Sequence, residues 1–173
     1  MKTINFIFRV HQRSNLKRYR FFDIGNDHYY YDDYADETAV RQNTDLCYLE
    51  ANRTLLEMIK SSNGKFKVSF AISGLALEQF ERYAPEVIDS FQELAKTGSV
   101  EFLATPNAHS LASVYDADEF AIQTKLQTNK IKQLFGKTPT TFANTALIYS
   151  DEIGDEIAKQ GYKTIMIEGA KHI

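Results

Sequence analysis

Cysteine is nearly absent from this chain of 173 residues, with Cys47 standing alone. One thiol can form no intrachain disulfide and cannot assemble a cysteine-based zinc site, and its place within an apolar helical pattern predicts a core residue. Tryptophan is missing altogether, so the aromatic content is phenylalanine and tyrosine, and many of these rings crowd between Tyr19 and Tyr34. No hydrophobic run is long. Ile4 to Phe8 is interrupted by Asn5 and ends at Arg9, too short for a signal-peptide core or a membrane span. Positive charge is not in excess either. A net charge of -3 and a pI near 5.8 give no electrostatic footprint for nucleic acid. The basic run Arg13, Lys17, Arg18 and Arg20 is short, is followed by acids, and reads as a solvated loop face. These absences predict a cytoplasmic protein with neither a membrane nor a nucleic-acid partner.

What is present is an ordinary globular composition, 43% hydrophobic and 25% charged, which argues against disorder and for one domain with a sizeable core. Thr3 to Val10 is rich in β-branched and aromatic residues and predicts a buried strand ending at His11. Leu16 to Thr38 carries no persistent period. Asn43 or Thr44 can cap a helix to Ser61 with Leu46, Leu49, Leu56 and Ile59 on one stripe, stopped by Asn63-Gly64. Lys67 to Ile72 reads as the second strand. Two helices follow, Leu75 to Tyr83 and Pro85 to Thr97, the latter with proline in a first-turn position. Ser99 to Ala104 is the third strand. Asp116 and Glu119 form a capping box for a long helix to Gly136. Thr140 to Tyr149 is the fourth strand, Ser150 caps a helix to Gln160, and Lys163 to Ile167 is the fifth strand.

This alternation implies an α/β fold of parallel strands joined by right-handed crossovers. A polar cluster follows each strand: His11, Ser73, His109, Asn144 to Asp151, and Glu168. Candidate sites at the carboxyl end of every strand point to a (β/α) barrel rather than to a single crevice. Five units are too few to close a barrel, and the chain stops just after a strand at Ile173. Residues 1–173 therefore read as the N-terminal portion of a longer barrel domain.

Three further features bear on chemistry. The segment from Phe21 to Tyr34 mixes flat rings with carboxylates, the combination that covers the apolar faces of pyranoses and accepts from their hydroxyls; the alternative is rings that pin a loop onto the domain while the acids face water. Asp27, His28, Asp32 and Asp33 show no established metal-ligand spacing. Glu101 alternates with Val100 and Phe102 along its strand, so its carboxylate either lines a polar cavity or faces solvent at an edge.

With these residues in view, the chain resembles glycoside hydrolase family 57, and within it the α-amylase-like branch, over almost its whole length. His11-Gln12-Arg13 is similar to the family's His-Gln-Pro motif, with Arg13 in place of proline. The loop from Tyr19 to Asp33 matches the family's loop nearly letter for letter. Lys65 to Phe70, Tyr83 to Val87, Gly98 to Leu103 and His109-Ser110-Leu111 also look like the branch. The resemblance implies an incomplete, seven-stranded (β/α) barrel and retaining chemistry at α-glucosidic bonds. It implies an α-glucan or maltooligosaccharide as ligand, no cofactor and no metal. His11, Gln12, Tyr31, Asp32, Glu101, His109 and Asp151 are the substrate-binding positions it points to.

Retention needs two carboxyl groups about 5 Å apart, one attacking the sugar and one serving as acid and then base. The family's attacking glutamate sits in Phe-Arg-Asn-Thr-Glu-Leu-Ile-Tyr-Ser-Asp. Here Phe142 to Asp151 carries alanine at both the arginine and the glutamate positions, Ala143 and Ala146. A methyl group forms no glycosyl ester. The family's acid/base aspartate belongs to a later strand than these residues reach. Thr105-Pro106-Asn107-Ala108 also departs from the branch, and two altered loops around one site argue for natural loss of catalysis. The expectation is thus a catalytically impaired, glucan-binding domain. Three alternatives stand beside it: an active enzyme using Asp151 or Glu152, a structural protein-binding remnant, and a metal-dependent deacetylase. The last needs a histidine pair at helical spacing, which His11, His28, His109 and His172 do not supply.

Overall fold

The computed structural model describes residues 4–26 and 28–169. Five short parallel strands run through it: β1 Phe6–Val10, β2 Val68–Ile72, β3 Val100–Leu103, β4 Thr141–Ala143 and β5 Thr164–Met166. The first three pair in the order β1-β2-β3, and β4 pairs with β5. A single parallel bridge, Ala104 to Phe142, carries the sheet from β3 to β4, so strand order follows chain order. Seven α-helices connect them: α1 Asp33–Asn43, α2 Leu49–Ser61, α3 Gly74–Tyr83, α4 Pro85–Lys96, α5 Ala112–Tyr115, α6 Ala117–Phe135 and α7 Asp151–Lys159. The parallel α/β architecture is the one expected.

The pleat divides the sheet into two chemistries, because successive side chains point to opposite faces. Even-numbered residues of the first three strands face the helices. Phe70 stacks on Phe8 with ring centres 5.4 Å apart and meets Phe91 of α4 edge-on at 5.1 Å. Phe102 lies parallel to Phe135 of α6 at 4.4 Å. Phe70, Phe91, Phe102 and Phe135, with Ile72, Leu77, Phe80 and Leu94, form the larger core. A second core gathers Phe142, Phe120, Ile153 and Ile157 under α6 and α7. Odd-numbered residues face the other way, where Ala71, Leu103 and Ala143 make a small apolar layer with Met166.

Side chains cap four helices, at Asp116 and Ser150 as the sequence predicts and at Asp32 and Ser73 where it predicts none. The side chains of Asp32, Ser73, Asp116 and Ser150 accept from backbone N–H groups in the first turns of α1, α3, α6 and α7. Gly136 ends α6 in the left-handed conformation.

Several expectations need correction. The predicted irregular stretch to Thr38 ends early, since α1 begins at Asp33; its only buried residues are Asp36 and Val40, too few to show a helical stripe. No new helix starts at Asn43 or Thr44: a π turn, Thr44–Tyr48, links α1 to α2, and Thr44 is buried within it. That wider turn rotates Leu46 and Cys47 outward, so Leu46 is 74% exposed and Cys47 is on the surface rather than in the core. Strand β1 is not buried: it pairs on one side only, leaving Phe6, Ile7 and Phe8 exposed. Strand β4 stops at Ala143, because the Asn144 side chain takes over the local backbone bonds and starts a tight turn, Thr145–Leu147. Thr3, where the first strand was expected to begin, lies outside the described residues.

Removing the ring at the centre of the larger core should be costly. Phe70→Ala is expected to lower the free energy of unfolding by about 3–5 kcal/mol in urea denaturation. A loss below about 1 kcal/mol would mean that the ring does not hold sheet and helices together.

Candidate functional site

The odd-numbered face continues past the strand ends into a cluster of polar groups. His11 follows β1 two residues after Arg9, so both side chains leave the strand on the same face. Ser73 follows β2, and its hydroxyl lies 2.9 Å from Nδ1 of His11. The imidazoles of His11 and His109 stack with centres 4.6 Å apart and planes 25° from parallel. Arg9 reaches across to donate to the backbone carbonyl of Asn144. Four strand ends therefore converge on one patch.

Buried polar groups from the helices fix that patch. Gln127 of α6 donates to the carbonyls of Ile72, at 2.8 Å, and Leu103, at 3.3 Å, and accepts from Thr105 N. It thus ties the ends of β2 and β3 together. Asn107 packs against Gly74, where a Cβ would lie 1.6 Å from its Oδ1, so the bare backbone permits the approach. Gln123 accepts from Ala108 N and the Ser110 hydroxyl on either side of His109. His109 itself has φ +54°, a left-handed conformation uncommon for a residue with a side chain.

The turn after β4 is similarly constrained. Ala146 and Leu147 have φ of +51° and +57°. Each left-handed residue other than glycine costs about 1–2 kcal/mol, so the surroundings must impose the shape. Asn144, fully buried, does so. Its Oδ1 accepts from Thr145 N at 2.9 Å, and its Nδ2 donates to Ile148 O at 2.9 Å and the Ser113 hydroxyl at 3.0 Å.

The predicted residues divide into five groups. His11 and His109 meet at the centre, and Arg9, two residues before His11, links to the turn that contains Ala146 through the Asn144 carbonyl. Gln12 turns away: neighbours in an extended chain point oppositely, and its side chain meets the Tyr48 hydroxyl on the helix side, 8% exposed. Glu101 is on the odd face but toward the strands' amino ends, where it accepts from the Thr141 hydroxyl at 2.8 Å. The apolar layer of Leu103 and Ala143 separates it from the histidines. Asp151 is the first residue of α7 and accepts from the Tyr149 hydroxyl at 3.3 Å.

The fifth group is the aromatic loop. Asp32 caps α1, and Tyr31 packs on Tyr29 and bridges to Leu16. Tyr31 lines a cleft against α3 rather than the histidine patch. Asp27, one of the carboxylates considered for a metal, lies outside the described residues. Among the described residues no three His, Cys, Asp or Glu side chains are grouped to hold a metal ion, and no helix is long and apolar enough to cross a membrane.

Two participants were missed in the sequence, Arg9 and Gln127. The signal for Arg9 was its spacing of two from His11 inside an apolar strand. Gln127 gives no signal in the sequence beyond its place in the long helix to Gly136.

Glycosyl hydrolase family 57 matches residues 5–173. The chain belongs to glycoside hydrolase family 57. A Methanocaldococcus jannaschii protein named "Putative alpha-amylase" is 33% identical over 173 residues, which span 98% of this chain and 36% of that protein. The family 57 chain also superposes on the crystal structure of 4-alpha-glucanotransferase from Thermococcus litoralis with a TM-score of 0.65 at 18% identity. That match covers 95% of this chain and 22% of the other. A CE4 family pseudoenzyme from Bacillus anthracis gives a TM-score of 0.53 at 19% identity, covering 70% of this chain and 40% of that one. At these identities the structural likenesses show the fold alone.

Burial lowers the pKa of His11, with the charge of His109 adding to it, and burial followed by the charge of Arg9 lowers that of His109. Protonation is thus resisted by the folded state and not by the unfolded chain. The unfolded histidines take up protons as pH falls below about 6.5, before the folded ones do. Stability should therefore be lost from about 6.5 downward to the lowered folded pKa and be unaffected by this pair above it. Melting temperatures followed from neutral pH to about pH 5 should drop less steeply in a His11→Asn, His109→Asn double variant. Parallel slopes in the two proteins would show that the pair does not contribute.

Proposed function

We propose that this family 57 chain is the N-terminal part of an incomplete, seven-stranded (β/α) barrel that binds α-glucans and lacks hydrolytic capacity in this segment. The observation that carries the reading is Ala146. It occupies the position of the family's attacking glutamate, in a left-handed turn braced by Asn144 and Arg9. Unfavourable backbone conformations persist where their surroundings over-determine them, commonly at functional sites. An alanine in such a turn keeps the geometry of a nucleophile's seat without the carboxylate.

The residues near that seat can bind but cannot form a glycosyl ester. His11 and His109, held neutral by burial, offer ring nitrogens that donate to or accept from sugar hydroxyls. Arg9 supplies positive charge. The carboxylates are placed elsewhere. Asp151 and Glu152 occupy the first turn of α7, where negative charge favours the helix, and the Ser150 hydroxyl draws the Glu152 pKa below the usual range. Glu101 is taken up by Thr141 beneath the apolar layer. This supports reading Asp151 as a rim contact to the sugar rather than a substitute nucleophile. A cytoplasmic setting is the one most compatible with a single exposed thiol.

Calorimetry with maltotriose tests the reading. Heat of binding is expected at millimolar sugar, weakened at least about fivefold, or 1 kcal/mol, by His109→Ala. No heat at that concentration would remove the glucan assignment.

A further inference from the structure

Beside the second core, α5, the start of α6 and the start of α7 border an open groove of about 410 Å³. The buried side chains of Phe120 and Ile153 form its floor, and the exposed Val114, Ala117 and Tyr149 stand along its rim. None of the positions read as sugar contacts lines it.

The groove is held in shape by the group that braces the Ala146 turn. Asn144 Nδ2 donates to the Ser113 hydroxyl at 3.0 Å and to Ile148 O at 2.9 Å, so one buried side chain joins the two walls. Gly154 gives Tyr149 its seat, because a Cβ there would lie 3.0 Å from the phenolic oxygen and 3.1 Å from the ring. A partner would meet a surface formed before it arrives, and little ordering entropy is lost on docking.

Charge then selects the partner. Glu152 and Glu156 line the groove itself. Asp116, Asp118 and Glu119 surround Ala117 at the start of α6, and Asp151 precedes Glu152 in α7. Asp155 is set aside by Lys159 at 2.7 Å. Residues 105–124 and 138–158 contain no lysine or arginine to balance these acids. The amino ends of α6 and α7 contribute about half a positive charge each, which the carboxylates outweigh. Such a field repels nucleic acid and anionic lipid and favours a cationic partner.

Backbone chemistry narrows the choice further. The walls are helices and the turn after β4, so no strand edge is offered there. An extended segment would leave its own N–H and C=O groups unpaired over the apolar floor. A helix satisfies its backbone internally and presents side chains alone.

We propose that this groove docks a basic amphipathic helix of another polypeptide, with its apolar face on Phe120, Ile153 and Tyr149 and its lysines or arginines toward Glu152 and Glu156. The inference stands apart from the glucan reading, since no sugar-contact position takes part.

Fluorescence anisotropy tests it, using the whole chain and a labelled synthetic helix of leucine and lysine, about 18 residues long with leucine on one face. Saturable binding is expected, with none by the counterpart that carries glutamate in place of lysine. Ala117→Phe, which fills the groove, should weaken binding at least about tenfold, and the double variant Glu152→Gln, Glu156→Gln at least about fivefold. Both should still melt cooperatively; if Ala117→Phe does not, the glutamate pair decides. Asp89→Asn with Glu93→Gln, an equal loss of charge on α4, should leave the affinity unchanged. An equal weakening by that control pair would reduce the attraction to net charge and overturn the groove. Binding of the glutamate peptide, or of neither peptide, would also overturn it. Sedimentation with anionic phospholipid vesicles that is lost in Ala117→Phe would assign the groove to a membrane surface and overturn the helical partner.

Discussion

Everything at this site depends on the pleat of a parallel sheet. One residue of offset decides whether a side chain joins the helix-facing core or the open face where the strand ends meet. Phe70 and Phe102 take one parity and pack against α4 and α6, with Phe8 stacked on Phe70 at the exposed edge; Arg9, Ala71 and Leu103 take the other. The same rule sends His11 to the polar patch and Gln12 back against Tyr48, although the two are adjacent in one motif. It also lets Glu101 share a face with the histidines without being near them, because a layer of apolar residues lies between.

The aromatic core makes the sheet rigid enough for its ends to hold strained segments. His109, Ala146 and Leu147 all adopt positive φ, and none is glycine. Each is bracketed by buried polar side chains: Gln123 around His109, Asn144 and Arg9 around the turn at Ala146. Such brackets offset the conformational cost only while the strands beneath them stay in register. Gln127, fully buried between the ends of β2 and β3, supports that register directly. The turn at Ala146, which we propose as the seat of the missing nucleophile, is thus braced by buried polar groups and presents a methyl group.

Much of the fold was legible because local signals agreed. Asp116 and Ser150 cap helices where their spacing says they should, and the alternation of strand and helix fixes a parallel sheet. The failures have specific physical causes. Helix α1 buries too few residues to show its period, and the π turn at Thr44–Tyr48 shifts the phase by which Leu46 and Cys47 would have been buried. Strand β1 is as apolar as a central strand but lies at an edge. At the site, the histidines could be found from their places after strands. Their stacking, the reach of Arg9 and the separate cleft around Tyr31 required three dimensions, since they join residues far apart in the chain.

The chain spans 36% of its curated relative and 22% of the glucanotransferase it superposes on, so whole-enzyme chemistry is not a property of these residues alone. What we propose for them is a glucan-binding surface with no nucleophile. Intact-mass spectrometry after incubation with an activated, slowly released α-glucosyl fluoride addresses it directly, because any attacking carboxylate would retain the sugar as an ester. The account predicts an unchanged mass. A glycosyl adduct mapping to Asp151, Glu152 or Glu101 would contradict it.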